Sequence, residues 1–208
     1  MQLSFGSDYI SSRGNPFPEL ARISSHGFSH IQWIHQWSTD FLYTKSEIDE
    51  IEKQLKKLSL KLNETHASKG VEKEWMAPEE YRRKAGVELV KNRIDFTKRL
   101  GGDCIVLHHF EKLDQDLYEI QVKQGLKSLH ELKNYSVSSG IKIALENLLI
   151  QCTFDVLEHY FNQFSPDFLG FCWDTGHSNL AGPEVIKRVE KIARERLCAV
   201  HLNDNEAK

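Results

Sequence analysis

The sequence predicts an α/β fold of the (β/α)8 TIM-barrel type, incomplete, with about seven parallel strands. Its 208 residues are 40% hydrophobic and carry both charge signs, which is enough for one sizeable core. Short apolar runs alternate with longer stretches of helical periodicity, and strands joined by helical crossovers form parallel sheets. Most predicted strands also end in a polar residue, as expected where catalytic groups gather at the carboxyl ends of barrel strands.

Seven short, largely apolar runs are the predicted strands. They cover residues 2–6, 29–37, 59–66, 103–109, 141–147, 168–174 and 197–203. The spacing between the last three predicted strands is close to the length of a single β-α unit.

Five amphipathic segments between these strands are predicted helices. The first has apolar residues at positions 48, 51, 55 and 58, and Ser46 with Asp49 is its predicted N-terminal capping box. The second begins at Pro78 and ends at Gly101, which matches the usual asymmetry of helix ends. The remaining helices are predicted at about 116–139, in "TFDVLEHYFNQF" and in "GPEVIKRVEKIARER".

Two architectures fit this order of elements, an open doubly wound sheet and a barrel. The first strand leads into "GSDYISSRGNPFPE", which lacks the G-x-G-x-x-G pattern of dinucleotide-binding open sheets. The barrel is favoured because polar residues recur at the predicted strand ends: His35, His66, His109, Glu146, Asp174 and His201.

Composition excludes several classes of protein. No segment approaches the roughly 20 apolar residues that span a bilayer, and no export signal precedes the first strand, so we expect a cytoplasmic protein without a membrane partner. The four cysteines lack metal-motif spacing and are interpreted as core thiols in a reduced compartment. A formal charge of -3 disfavours nucleic acid as a partner.

Three residues form the central functional prediction. Glu146 in "ALEN", Asp174 in "WDTGH" and His201 in "VHLND" are separated by 28 and 27 residues (174 − 146 and 201 − 174). Consecutive parallel strands would therefore present two carboxylates and an imidazole on one rim. Such a set can hold a divalent cation and leave positions for substrate oxygens.

Histidines around this trio are candidate substrate contacts. His177 follows Asp174 by three residues and is expected in the loop over the same rim. His66 and His109 each end a predicted strand, where a histidine can ligate zinc, orient a sugar hydroxyl or hydrogen-bond in a core. His108 must face the opposite way from His109, so the choice between them depends on register, and we favour His109.

The motifs "THAS", "IVLHH", "ALEN", "WDTGH" and "VHLND" together resemble the xylose isomerase-like TIM-barrel superfamily, which holds sugar phosphate isomerases and epimerases and the zinc apurinic endonucleases. The resemblance runs from the second strand to the end of the chain. Its epimerase branch implies that Glu146, Asp174 and His201 bind a divalent metal, with Mn, Co or Mg favoured, and that His177 contacts a sugar. Its endonuclease branch implies a zinc cluster of His66, His109, Glu146, Asp174, His177 and His201.

Both branches also use a glutamate on an eighth strand, whereas the sequence stops at "HLNDNEAK". We therefore expect residues 1–208 to form one xylose isomerase-like domain that lacks its C-terminal β-α unit, with two unpaired sheet edges that invite a homodimer, a mobile opening or poor stability. The expected function is a metal-dependent sugar or sugar phosphate isomerase or epimerase, with Glu146 as ligand and catalytic base, impaired by truncation. The alternatives are a zinc phosphodiesterase acting on abasic DNA and a noncatalytic remnant.

Overall fold

The structure, a computed structural model, describes residues 3–7, 14–109, 116–149 and 153–205. This part of the chain contains seven strands and seven helices, with one helix between successive strands except before the last strand, where there are two. The strands are β1 Phe5–Gly6, β2 His30–Trp33, β3 Lys61–His66, β4 Cys104–Leu107, β5 Lys142–Glu146, β6 Leu169–Asp174 and β7 Leu197–His201. The helices are α1 Phe17–Ser25, α2 Lys45–Lys57, α3 Glu80–Leu100, α4 Tyr118–Ser139, α5 Thr153–Phe161, α6 Thr175–Ala181 and α7 Val185–Arg196.

Every strand pairs in parallel with the next one along the chain, in the order β1 to β7. The sheet curls into an incomplete TIM-type barrel with helices outside it, which confirms the predicted fold class. All seven predicted strands are present. The carboxyl ends of the strands therefore lie at one rim, where a barrel of this kind carries its functional groups.

The two faces of the sheet differ in the size of their side chains. The outer face packs large apolar residues, such as Ile105, Leu107 and Phe171, against the helices. Small residues line the interior: Cys104, Val106, Ala144, Cys172 and Ala199. Since strand residues alternate between the faces, the positions that follow these small residues toward the rim also face inward.

A β-bulge in β3 turns two polar residues into the interior. Ile31 on β2 pairs with Leu62, whereas the next residue, Gln32, pairs with Glu64, so Asn63 is an extra residue on β3. Leu62 packs in the outer cluster with α2 and α3. Strict alternation would send Glu64 to that same outer face. The bulge reverses the alternation, and Glu64 faces the interior together with His66.

The helix termini agree with the sequence in part. The predicted capping box of Ser46 and Asp49 is wrong, because α2 begins at Lys45 and its N-cap is Thr44. The Thr44 hydroxyl accepts the backbone N–H of Glu47 at 3.3 Å, and the Glu47 carboxylate accepts the backbone N–H of Thr44 at 2.7 Å. Helix α3 ends at Gly101 as predicted, in the left-handed conformation with φ 82°.

Two helices, α1 and α6, were not predicted. Helix α6 matters for the site because it begins at Thr175, directly after β6, and includes His177. His177 therefore lies in the first turn of a helix and not in the loop that we expected. Within the described residues, we find no helix with the length and apolar character needed to cross a membrane.

Candidate metal centre

A buried carboxylate, Glu146 at the carboxyl end of β5, is the centre of the site. Three ring nitrogens lie near its Oε2 atom: His201 Nδ1 at 3.1 Å, His108 Nε2 at 3.3 Å and His66 Nε2 at 3.6 Å. His177 Nδ1 lies 3.2 Å from the other oxygen, Oε1. The Glu146 side chain is only 2% exposed. Four imidazoles from different parts of the chain thus surround one carboxylate.

The surroundings of Glu146 determine its ionisation. Burial alone would raise the pKa of this carboxyl, but the charge of His108 and hydrogen bonds from His108, His177 and His201 hold the pKa well below its usual range. Burial lowers the pKa of His66. Glu146 is therefore an anion at neutral pH, and the neutral form of His66 is favoured, which is the form that binds a metal.

The donor atoms fit a divalent metal ion. Among the described residues, three groups have ligand atoms that all lie within 4.8 Å of one another, and all three contain Glu146. These groups are Glu146 with His66 and His108, with Cys172 and His201, and with Asp174 and His177. His66 Nδ1 is also buried without a hydrogen-bond partner in the described part of the chain. Buried polar atoms of this kind commonly indicate an ion or a water.

Asp174 holds His177 in place. The Asp174 carboxylate caps α6 by accepting the backbone N–H of His177 at 2.7 Å. The His177 Nδ1 atom lies 2.8 Å from the carbonyl oxygen of Asn147. Asn147 in turn donates to the Asp174 carbonyl at 3.0 Å and accepts the Asp174 N–H at 2.9 Å. A proton on Nδ1 leaves the lone pair of a neutral His177 ring on Nε2.

His108, and not His109, faces the cluster. The favoured register is thus corrected: His109 is buried on the outer side of β4, where its Nε2 lies 3.2 Å from the Thr153 carbonyl, and burial lowers its pKa to about 3. The alternation on β4 explains the difference, because Cys104 and Val106 face the interior and the next inward position is 108.

Three further residues near the centre were not singled out as site residues. Glu64 Oε1 lies 3.2 Å from His201 Nε2, and the side-chain amide of Gln32 lies 2.6 Å from the same nitrogen. The Trp37 ring lies 5.0 Å from the His66 ring and 5.5 Å from the His108 ring, between centroids. Glu64 is 5% exposed. The only sequence signal for Glu64 was that it is a charged residue within a predicted apolar strand.

Comparison with known proteins identifies the family. The family model described as xylose isomerase-like TIM barrel matches residues 20–208. The chain belongs to this family. The predicted resemblance is thereby confirmed, and the curled seven-stranded sheet agrees with it.

Two individual relatives match different lengths of the chain. A protein of Sinorhizobium fredii, y4fM, is 27% identical over 213 residues, which cover 89% of this chain and 68% of that protein. A probable endonuclease 4 of Oceanobacillus iheyensis is 29% identical over 135 residues, or 58% of this chain and 44% of the endonuclease.

Solved structures of the same fold include an epimerase-like protein and an endonuclease. A D-tagatose 3-epimerase-like protein has a TM-score of 0.80 at 21% identity, with 100% of this chain and 78% of that chain covered. An AP endonuclease of family 2 from Brucella melitensis has a TM-score of 0.69 at 13% identity, with 94% and 76% covered. At these identities the similarity shows the fold alone.

The predicted site residues mostly come together on the xylose isomerase-like barrel. His66, Asp174, His177 and His201 all lie beside Glu146. Asp174 and His201 belong to different groups around Glu146, so the predicted trio does not form a single compact set among the described residues. His35, another predicted strand-end residue, instead contacts the Tyr43 hydroxyl at 3.0 Å and the Gly14 carbonyl at 2.8 Å.

Proposed function

We propose that this chain is a metal-dependent sugar or sugar phosphate isomerase or epimerase that removes a proton next to a carbonyl group. The observation that carries the proposal is Glu146, an ionised and buried carboxylate surrounded by imidazoles at the rim of the barrel. Structural neighbours support the substrate class, since they include the D-tagatose 3-epimerase-like protein and a D-psicose 3-epimerase.

The proposed metal ligands are Glu146, Asp174 and His201, with His177 and His66 within reach. A divalent ion bound here would acidify the substrate C–H bond beside the carbonyl. The sequence favoured Mn, Co or Mg, with Zn as the alternative. Because the structure adds His108 to the surroundings of Glu146, imidazole donors now predominate, and these favour Zn or Co over Mg.

Glu146 is the proposed base, and the substrate proton passes to one of its carboxylate oxygens. Its low pKa keeps it ionised at neutral pH, so it is ready to accept. His177 and His66 would orient substrate hydroxyls. One base that returns the proton to the same face suffices for an isomerisation, whereas an epimerisation needs a second group on the opposite face. Asp174 is a second carboxylate beside Glu146, and it caps α6.

The test is exchange of substrate protons with solvent. Metal-loaded protein is incubated in D2O with a panel of ketoses and ketose phosphates, and deuterium incorporation is measured by mass spectrometry. We expect Glu146→Gln to lower the exchange rate by roughly 100-fold to 10,000-fold, the usual contribution of a general base. Exchange that is unaffected by this substitution would contradict the assignment of Glu146 as the base.

Two adjacent histidines give a matched pair of variants for the metal. His108 faces Glu146, whereas His109 faces the Thr153 carbonyl. His108→Ala should lower the amount of metal that the protein retains after dialysis, measured by elemental analysis, while His109→Ala should retain wild-type metal. His109→Ala should instead lower the free energy of unfolding by about 1–3 kcal/mol. Equal metal content in the two variants would count against the centre described above.

The second candidate function is a zinc phosphodiesterase that acts on abasic DNA. It is favoured by the histidine-rich surroundings of Glu146 and by the match to the probable endonuclease 4. The net charge of -3 counts against binding to a polyanion. Cleavage of an abasic-site oligonucleotide by the zinc-loaded protein, abolished by Glu146→Gln, would favour this function over the isomerase.

The proposed partner is a small sugar, and the proposed location is the cytoplasm. A homodimer that forms through the sheet edges β1 and β7 also stays a prediction. Sedimentation at several protein concentrations tests the dimer. A sedimentation coefficient that stays at the monomer value across this range would reject it.

A further inference from the structure

Two cysteines meet near the amino-terminal ends of the strands, at the end of the barrel opposite Glu146. The Sγ atoms of Cys104 on β4 and Cys198 on β7 are 4.0 Å apart. Strands β4 and β7 are separated in the sheet by β5 and β6. They nevertheless approach within 8 Å between Cα atoms across the interior. A disulfide would require the two sulfur atoms to approach by a further ~2 Å.

The backbone of β7 and a glycine on β6 allow Cys198 to reach this position. Phe171 pairs with Leu197, whereas Cys172 pairs with Ala199, so Cys198 is the extra residue of a β-bulge. At Gly170 on the neighbouring strand, a Cβ atom would overlap Sγ of Cys198. The bulge at Cys198 and the absence of a Cβ atom at Gly170 are independent features, and both allow the Cys198 thiol to lie beside Cys104.

The two thiols have different surroundings. Cys198 is exposed, and Cys104 is buried. The hydrogen bond with Cys104 lowers the pKa of the Cys198 thiol, and the charge of Lys142 acts in the same direction. The pKa of Cys104 is raised, by that same hydrogen bond and by burial. An accessible thiol of lowered pKa next to a second thiol is the arrangement found in redox-sensitive cysteine pairs.

We propose that Cys104 and Cys198 are a reversible redox pair, which closes to a disulfide across the barrel when a peroxide reaches Cys198. The Cys198 thiolate attacks one oxygen of hydrogen peroxide, the O–O bond breaks, and Cys198 becomes a sulfenic acid. The other oxygen leaves as hydroxide and becomes water by taking up the proton that the Cys198 thiol had released. The Cys104 sulfur then attacks the Cys198 sulfur, the S–O bond breaks, and the hydroxide leaves as water with the Cys104 proton. Two thiols are oxidised, and one hydrogen peroxide is reduced to two waters.

The disulfide would fix the edge strand β7 to β4. In the described part of the sheet, β7 pairs only with β6, so its position depends on one ladder of hydrogen bonds. The bond would close a loop from residue 104 to residue 198, and long closed loops restrict the unfolded chain most strongly. We expect the oxidised protein to melt roughly 5–15 °C above the reduced protein.

The experiment maps the disulfide directly. Folded, reduced protein is treated with hydrogen peroxide, the remaining thiols are alkylated, and tryptic peptides are analysed without reductant. Trypsin places Cys104 in residues 100–112, Cys198 in residues 197–208, and the other two cysteines together in residues 143–187. We expect residues 100–112 to be linked to residues 197–208, with loss of two of the four thiols and full recovery of both with dithiothreitol.

Three variants separate the two roles. Cys104→Ser should still form a sulfenic acid at Cys198, trapped by dimedone, but no link. Cys198→Ser should form neither. Gly170→Ala, which keeps both thiols, should slow formation of the link by displacing the Cys198 sulfur. A link to residues 143–187, or four free thiols after treatment of the folded wild-type protein, would overturn the proposal. If a variant does not fold, the disulfide mapping of the wild-type protein is sufficient to test the proposal.

Discussion

Glu64 should tune the metal centre through His201. Its carboxylate lies 3.2 Å from Nε2 of His201, whose Nδ1 atom lies 3.1 Å from Glu146 Oε2. A carboxylate that accepts one ring N–H of a histidine fixes the tautomer and leaves the other nitrogen as the metal ligand. The amide nitrogen of the Gln32 side chain lies 2.6 Å from the same Nε2 atom. Removal of Glu64 therefore removes the group that orients His201.

The expected loss of metal affinity follows from the position of Glu64 beside His201, a proposed metal ligand. Substitution of such a partner lowers metal affinity by about 10-fold to 100-fold, or about 1.4–2.8 kcal/mol. Glu64→Leu should lose the most, because leucine accepts no hydrogen bond. Glu64→Gln keeps an acceptor and should lose less. Glu64 is only 5% exposed and lies 3.2 Å from His201 Nε2, so Glu64→Leu, which leaves this imidazole without its carboxylate, should also lower the free energy of unfolding of the metal-free protein.

The assay is competition for Co²⁺ or Zn²⁺ between the protein and a chromophoric chelator. Urea unfolding of the metal-free variants measures stability separately. The matched control is Glu88→Gln, since Glu88 is an exposed carboxylate paired with Lys91 at 2.7 Å. Wild-type metal affinity in the Leu variant would refute this role of Glu64.

Three further predictions concern stability, measured by urea or thermal unfolding. Gly86→Ala should lower the free energy of unfolding by about 1–3 kcal/mol, because a Cβ there would overlap the backbone of Trp75, which is not free to move. Tyr160→Phe should cost about 0.5–1.5 kcal/mol, because the buried hydroxyl donates to a carbonyl of α4 at 3.0 Å. The hydrogen bond with Arg83 lowers the pKa of Glu80, so the wild-type melting temperature should fall more steeply than that of Glu80→Gln as the pH drops below about 4.3. Equal slopes in the two proteins would contradict the last prediction.

The fold was predictable because its signals are local. Each strand is a short apolar run, and the long helices end at glycines such as Gly101 that can adopt the left-handed conformation. Helix α6 has no such signal, because its sequence "TGHSNLA" is rich in poor helix formers. It forms because the Asp174 carboxylate caps it and because Asn147 holds the turn from β6. The position of His177 was therefore expected correctly at the rim, but in the wrong kind of element.

The side-chain register of the site was less predictable. The choice of His108 over His109 follows from the alternation of Cys104 and Val106 on β4, which was present in the sequence. The inward direction of Glu64 was not readable in this way. It depends on the bulge at Asn63, which arises from pairing with β2, a contact distant in sequence. The alternation of side chains along a strand predicts which face of the sheet a residue occupies only up to the first β-bulge.

The bulge in β7 couples the two ends of the barrel. It places Cys198 beside Cys104 at one end, and three residues later the same strand presents His201 to Glu146 at the other. A disulfide that shifts β7 would change the position of His201, and with it the metal affinity. By thermodynamic linkage, a bound metal must then change the Cys104–Cys198 reduction equilibrium by the same factor. A tenfold effect on metal affinity corresponds to about 30 mV in the reduction potential of the pair. Titrating the disulfide with a dithiol buffer, with and without metal, therefore measures this coupling without any knowledge of the sugar substrate.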